Sequence, residues 1–278
     1  MDFVDFARGH GLILDHALSD GRWHRVKTED KPKKKNGAYI WDGSRGSVRN
    51  WATMESFSTY RPDGTVNLVV PRVDIVRIQA EKDREVTKQA NAVKAAGLAL
   101  SKAGMAPHPY LARKGFPEAL GMVLEGNLLI PMRDCKTNEL LSLQRISEGG
   151  EKLFLPGGRT KGAVFVLGKK GYLKSGHLRY LCEGYATGMS VMEAVKTMRQ
   201  PAEVWVCFSA SNLTYVAERI GGDRLVIADN DASGTGQRAA EATGLPWVMS
   251  PIEGEDANDW HQRAGIWEIS RALRKNWV

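Results

Sequence analysis

Three carboxylates suggest the chemistry of this chain. Glu183 closes the apolar run LRYLCEG and is followed at once by Gly184, while Asp229 and Asp231 close a second apolar run, RLVIADND. A glycine directly after an acid lets backbone approach a bound group closely. Brought together, three carboxylates repel and raise one another's pKa unless a cation lies between them. A hard divalent ion that prefers oxygen ligands, magnesium first, meets that need. Such a centre suits metal-assisted chemistry on a polyanionic substrate, whose charge the ion neutralises.

The segments between these acids must bring them to one place. A helix-like segment, the strand-like EVWVCFS and a second helix-like segment separate the two acidic runs. Strand, helix, strand, helix, strand predicts a parallel sheet with helical crossovers, an α/β fold. Acids at the C-terminal ends of parallel strands emerge along one edge, where open α/β sheets hold their ligands. PWVMS supplies a fourth strand, and a last helix turns Ile266, Ile269, Ala272 and Leu273 inward.

Upstream, residues 105–175 read as an antiparallel meander of short apolar runs, a mixed α+β subdomain. Arg113, Lys114, Arg133, Arg145, Lys152, Arg159 and Lys161 recur along it at strand ends and turns. This block carries 12 Lys/Arg against 6 Asp/Glu, whereas residues 176–278 carry 10 against 13. A basic block beside an acidic centre suits a polyanionic substrate held by one and processed by the other. Residues 78–104 predict a polar connecting helix with Val86, Ala90, Val93, Gly97 and Leu100 on its apolar stripe. Residues 1–77 predict a small α+β unit, β-rich after a first helix. That helix is capped by Asp2 and carries Phe3, Phe6, Ile13, Leu14 and Ala17 on one face. Trp23, Trp41 and Trp51 read as its core, and the run Lys33–Lys35 as a solvated loop.

Several functions are excluded or weakened. No apolar run reaches the ~18 residues a membrane span needs, and Asp2 and Asp5 stand where a signal peptide would be basic. Cys135, Cys182 and Cys207 are isolated and read as reduced thiols of a cytoplasmic protein. There is no H-E-x-x-H, C-x-x-C or phosphate-loop lysine, and the six histidines, without ligand spacing, read mostly as surface residues. A calcium loop starting at Asp229 would need a carboxylate where Ala240 stands. Asp256 and Asp259 fit the N-cap and third position of the last helical region, and Asp259 is also a candidate ligand for a second metal.

These residues resemble a known family. CEGYATG at Cys182–Gly188 is similar to the EGYATA signature of primases carried by conjugative plasmids and satellite phages, with Gly188 in place of the final alanine. With ADND at Ala228–Asp231 it resembles the TOPRIM domain shared by bacterial-type primases, topoisomerases and some nucleases. GEDANDW at 254–260 is similar to the segment holding that domain's last acidic positions. IPMRD, EKLFLPGG and TKGAVFVLG resemble segments of the primase subdomain preceding it. On that resemblance Arg133, Lys152 and Lys161 hold template and nucleotide phosphates, while YLARKGF, a looser match, carries Arg113 and Lys114. Two features depart from the family. Residues 1–100 contain no cysteine, so the usual zinc ribbon is missing and zinc is not expected. The absence of a helicase motor implies a primase acting alone or recruited by a separate helicase.

The resemblance implies a DNA-dependent RNA primase of phage or plasmid replication, working in the cytoplasm of a bacterial host. Its substrates would be single-stranded DNA template and ribonucleoside triphosphates, with Glu183, Asp229 and Asp231 holding Mg²⁺ or Mn²⁺. Two other readings stay open on the same residues. One is a metal-dependent nuclease or phosphotransferase; the other is a non-catalytic single-strand-DNA-binding replication accessory.

Overall fold

A computed structural model describes residues 2–61, 75–168 and 178–276. The chain divides into two compact units, Met1–Val73 and Asp74–Val278.

In the first unit Asp2 caps helix α1 (Phe3–Gly9) through a capping box closed by Asp5. Five antiparallel strands follow in sheet order β1 to β5: Leu12–Ile13, Trp23–Thr28, Gly37–Trp41, Gly46–Asn50 and Ser58–Tyr60. The helix is shorter than the apolar pattern predicts. Gly11, at φ +74°, turns the chain, and beyond it burial alternates with period two: Leu12 and Leu14 are buried, while Ile13 is exposed. The core joins Phe3, Ala7, Leu12, Tyr39 and Val48. Trp41 belongs to it, stacked on Phe3 at 4.5 Å between centroids. Trp23 and Trp51, expected there too, are 50% and 40% exposed. Trp23 lies on the outer face of its strand, and Trp51 follows the end of β4.

The second unit opens with α2 (Ile75–Lys102). Its inner face matches the expected stripe only at the C-terminal end: Leu100 packs beside Ala96 on Leu129 and Leu143 and Ala92 is buried, while Val86 is 65% exposed. Small side chains allow the helix to lie close on the strands beneath. Next come β6 (Gly104–Pro107), α3 (Pro109–Arg113), β7 (Leu120–Leu124), β8 (Asn127–Asp134), β9 (Leu140–Ile146), β10 (Lys152–Phe154) and β11 (Ala163–Leu167). These strands pair antiparallel. His108 is not a surface residue: it is buried, caps α3 through Tyr110 N and reaches Gly126 O.

The remainder alternates as the sequence predicts: β12 (Leu178–Cys182), α4 (Tyr185–Thr197), β13 (Ala202–Val206), α5 (Ala210–Ala217), β14 (Arg224–Ile227), α6 (Thr235–Ala242) and β15 (Trp247–Val248), then α7 (Ala257–Ala264) and α8 (Ile266–Lys275). Strands β13, β12, β14 and β15 run parallel, and β11 joins them antiparallel through β13. The basic block and the C-terminal region therefore share one mixed ten-stranded sheet, ordered β10-β9-β8-β11-β13-β12-β14-β15, with β7 also pairing β8 and β6 pairing β7. One face packs Tyr180, Val204, Val206 and Ile227 against α4, α7 and α8; the other packs Leu181, Trp205 and Val226 against α5 and α6. Gly188 belongs to the first face. A Cβ there would lie 2.7 Å from Val206 Cγ2, so α4 sits closer than the alanine of the related signature would permit. No helix among the described residues is long and apolar enough to cross a membrane.

Candidate active site

Glu183 follows the last residue of β12, and its carbonyl accepts a hydrogen bond of 2.8 Å from Phe208 N–H just beyond β13. Phe208 takes φ +70°, a strained conformation for a bulky residue. Gly184 opens α4 at an ordinary φ of −98°. Across the sheet, β14 ends at Ile227 and releases Asp229, Asn230 and Asp231. Asn230 ties this edge to the loop before α7, donating to Ser250 O at 3.0 Å and accepting from Gly254 N–H at 2.6 Å.

The C-terminal edge of the parallel strands encloses a cavity of about 150 Å³. Glu183, Asp229 and Asp256 line it together with Lys152, Gln144 and Phe208. Three acids therefore meet one base, and their surroundings set them apart. Burial, reinforced by Glu183 and Asp256 and opposed by Lys152, pushes Asp229 up to about 7. Its Oδ1 is buried with no hydrogen-bond partner. Burial also raises Glu183; the backbone N–H of Ala210 opposes this and the charge of Asp231 adds to it. Asp231 is instead pulled down to about 2, first by the Ser233 hydroxyl and then by backbone N–H groups. It accepts from Gly236 N at 2.9 Å and Thr235 N at 3.2 Å, thereby capping α6. Gly236 is sterically required: a Cβ there would lie 2.2 Å from the carbonyl oxygen and 3.0 Å from the nitrogen of Asp229.

The other residues singled out in the sequence occupy different places. Asp256 and Asp259 form the expected capping box of α7. Asp259 is further held by Lys114 Nζ at 3.5 Å, and Asp256 is the one of the two that reaches the cavity. Of the basic residues, Lys152 reaches it as well. Arg145 is exposed, and as the strand neighbour of buried Gln144 it points to the opposite face. Arg133 donates to Asn138 O at 3.1 Å and lines a separate cavity of about 210 Å³ with Pro131 and Val164. Arg113 donates to Glu148 O, Arg159 pairs with Asp134, and Lys161 lies 4.7 Å from the Tyr215 ring centroid.

The Toprim domain family matches residues 178–266. This part of the chain is a Toprim domain. Two curated relatives, both named DNA primase TraC and both from Escherichia coli, are similar over most of the chain. One is 28% identical over 240 residues, covering 79% of this chain and 22% of that protein. The other is 28% identical over 256 residues, covering 83% and 17%. The chain thus spans about a fifth of the length of these relatives. Among solved structures, the primase fragment of the bacteriophage T7 primase-helicase aligns with a TM-score of 0.41 at 20% identity, covering 55% of this chain and 65% of that one. A structure of a bacteriophage T7 lagging-strand DNA polymerase interacting with primase domains aligns with a TM-score of 0.43 at 15% identity, covering 63% and 91%.

Within the Toprim domain the donor set suits a hard divalent cation. The acids at the cavity offer oxygen only, and the partnerless Asp229 Oδ1 is the kind of buried atom an ion satisfies. Among the described residues no three His, Cys, Asp or Glu side chains already stand as a finished metal centre. Glu183 and Asp229 line the cavity and would hold an ion there; Asp231 lies outside that lining, with its oxygens engaged by Ser233 and the α6 amides. The sequence favoured a capping role for Asp256 and overlooked Gln144 and Phe208. Gln144 carried little signal in the sequence, since Arg145 follows it directly and Ser142 and Ile146 share its face of the strand.

Proposed function

We propose that this chain is a DNA primase that joins ribonucleotides on a single-stranded DNA template. The observation that carries this reading is the cavity at the Toprim edge. There a buried, partnerless Asp229 oxygen lies among Glu183, Asp256 and Lys152. Mg²⁺ or Mn²⁺ bound there would supply charge neutralisation at the incoming nucleotide's phosphates. Glu183 and Asp229 would hold the ion, and Asp256 would add negative charge beside it. Lys152, exposed at the start of β10, would contact a phosphate of nucleotide or template. Phe208 and Gln144 would close the cavity wall and limit water around the reacting phosphate. The similarity to DNA primases over most of the chain supports the same reading.

The test supplies single-stranded DNA, ribonucleoside triphosphates and Mg²⁺ or Mn²⁺, and resolves the products by length. A template-dependent ladder of short oligoribonucleotides, lost in Asp229→Asn, is the expected result. No product over a broad set of templates would refute the proposal. Metal-dependent loss of labelled DNA without nucleotides would move the assignment to hydrolysis.

A further inference from the structure

The first unit exposes an aromatic and cationic surface that the Toprim site does not use. In β2, Trp23, Arg25 and Lys27 alternate outward while His24, Val26 and Thr28 turn in. Arg25 pairs across the sheet with Ala38, and Ala38 with Arg49. Residues paired in this way share one face. The loop after β4 lays two more rings beside it. The Arg25 guanidinium lies 4.2 Å from the centroid of Trp51; Arg49 lies 5.6 Å from Trp51 and 5.1 Å from Phe57. Phe57 in turn meets Trp23 at 4.9 Å. Ring and guanidinium thus continue one another from Trp51 to Trp23. Trp23, Phe57 and Trp51 remain 50%, 48% and 40% exposed.

Energetics make this an odd surface to leave bare. Large rings normally join the core, as Trp41 does in the same unit. Arg25 is pinned in place by two hydrogen bonds to Lys35 O, at 3.2 and 2.7 Å, which anchor the Lys33–Lys35 run at the same end of the sheet. Arg49 is held by Glu55 O at 3.2 Å, yet its Nε is buried without a partner. The outward strand positions Trp23, Arg25, Lys27, Ala38, Ile40, Ser47 and Arg49 include no acid, and the loop 51–57 contains one, Glu55. A protein-docking patch would be expected to be apolar at its centre. This face instead interleaves rings with cations at cation–π distances of 4.2–5.6 Å, a composition that suits unpaired bases and their phosphates.

We infer that the outer face of this five-stranded sheet binds single-stranded DNA, its rings and guanidinium planes stacking bases and Lys27 with Arg49 meeting phosphates. A duplex would not serve, since its bases present no free stacking faces. The choice of DNA over RNA rests on the function proposed above; the stacking surface itself accepts either.

The experiment measures binding of the full chain to a fluorescent deoxythymidine octamer, without divalent metal or nucleotides. Its outcome is therefore independent of whether the chain synthesises anything. Trp23→Ala with Phe57→Ala should weaken binding about 5- to 150-fold, the loss of one stacked base. Arg49→Ala should lower the slope of log affinity against log salt by about 0.7. A duplex of equal length should compete poorly. Should a variant fail to fold, a bromodeoxyuridine octamer photo-crosslinked to the wild-type chain answers the question, with adducts expected at residues 23–57. Wild-type affinity and salt slope in the folded variants, or adducts confined to the second unit, would overturn the inference. Tighter binding of the RNA octamer than of the DNA one would overturn the choice of DNA.

Discussion

Replacing Asp229 by Asn should make the second unit more stable while ending the synthesis proposed above. In the unfolded chain an aspartate ionises near 3.8, whereas in the folded cavity burial and the neighbouring Glu183 and Asp256 push Asp229 up to about 7. Each pH unit of that difference is worth about 1.4 kcal/mol, so an ionised Asp229 costs the fold up to about 4 kcal/mol. Water entering the cavity screens part of this, leaving about 2–4 kcal/mol. The sign follows from proton counting. Below about pH 4 the group is protonated in both states and nothing is lost. As pH rises to about 7 the unfolded state gives up its proton first, so stability declines; beyond that the loss is constant. Asparagine has nearly the same shape and no charge to bury, so it escapes the loss.

Thermal unfolding of both proteins in metal-free buffer would show the effect. At pH 8 the variant should melt roughly 4–16 °C above wild type, at about 2–4 °C per kcal/mol for a unit of this size, and the gap should close toward pH 4. Adding Mg²⁺ should raise the wild type, by about 2.7 kcal/mol at a hundredfold excess over its dissociation constant, and leave the variant almost unmoved. Equal melting at pH 8 without metal, or identical pH profiles, would show that Asp229 is not held at a disadvantage. The argument for an ion at this cavity would then fail.

Two further outcomes separate neighbouring residues. Gly236→Ala forces a Cβ against the Asp229 backbone, which cannot rotate away; overpacking of this kind costs about 1–3 kcal/mol or more. Synthesis should fall with it, and a variant with wild-type melting and activity would show that α6 can move. Lys152→Ala should weaken nucleotide or template binding and flatten its salt dependence, whereas Arg145→Ala, pointing from the opposite face, should not. Equal effects of the two in salt-titrated binding would contradict the division of the faces.

The parallel module was legible because its signals are local. Apolar runs of strand length, each ending in an acid or a small residue, alternate with helix-length segments from Leu178 to Val248. Less legible was anything set by contact between distant segments. Trp23, Trp41 and Trp51 look alike in sequence, yet only Trp41 lies against Phe3; strand register decides which ring turns inward. The α2 stripe was placed from Val86 to Leu100, but of it Leu100 packs on the strands beneath beside Ala96 while Val86 is exposed. Likewise Arg145 and Lys152 belong to one basic block in sequence and to opposite faces in space, because one strand step separates inward Gln144 from outward Arg145.

The acids show the same limit more sharply. At the C-terminal edge of a parallel sheet every strand end lies beside both the ligand cavity and the N-terminus of the next helix. An acid there finds free backbone N–H groups as readily as a cation. Sequence spacing cannot separate the two fates, since both require the same position. Asp231 and Asp256 each accept amide hydrogens from the start of α6 and α7, so their presence is explained by capping alone. Asp229 caps nothing at Oδ1 and is destabilised where it stands. An acid that costs the fold several kcal/mol and returns no hydrogen bond there needs a reason outside stability. Of the three acids that end or follow the sheet's central strands, Asp229 is therefore the one on which the functional argument rests.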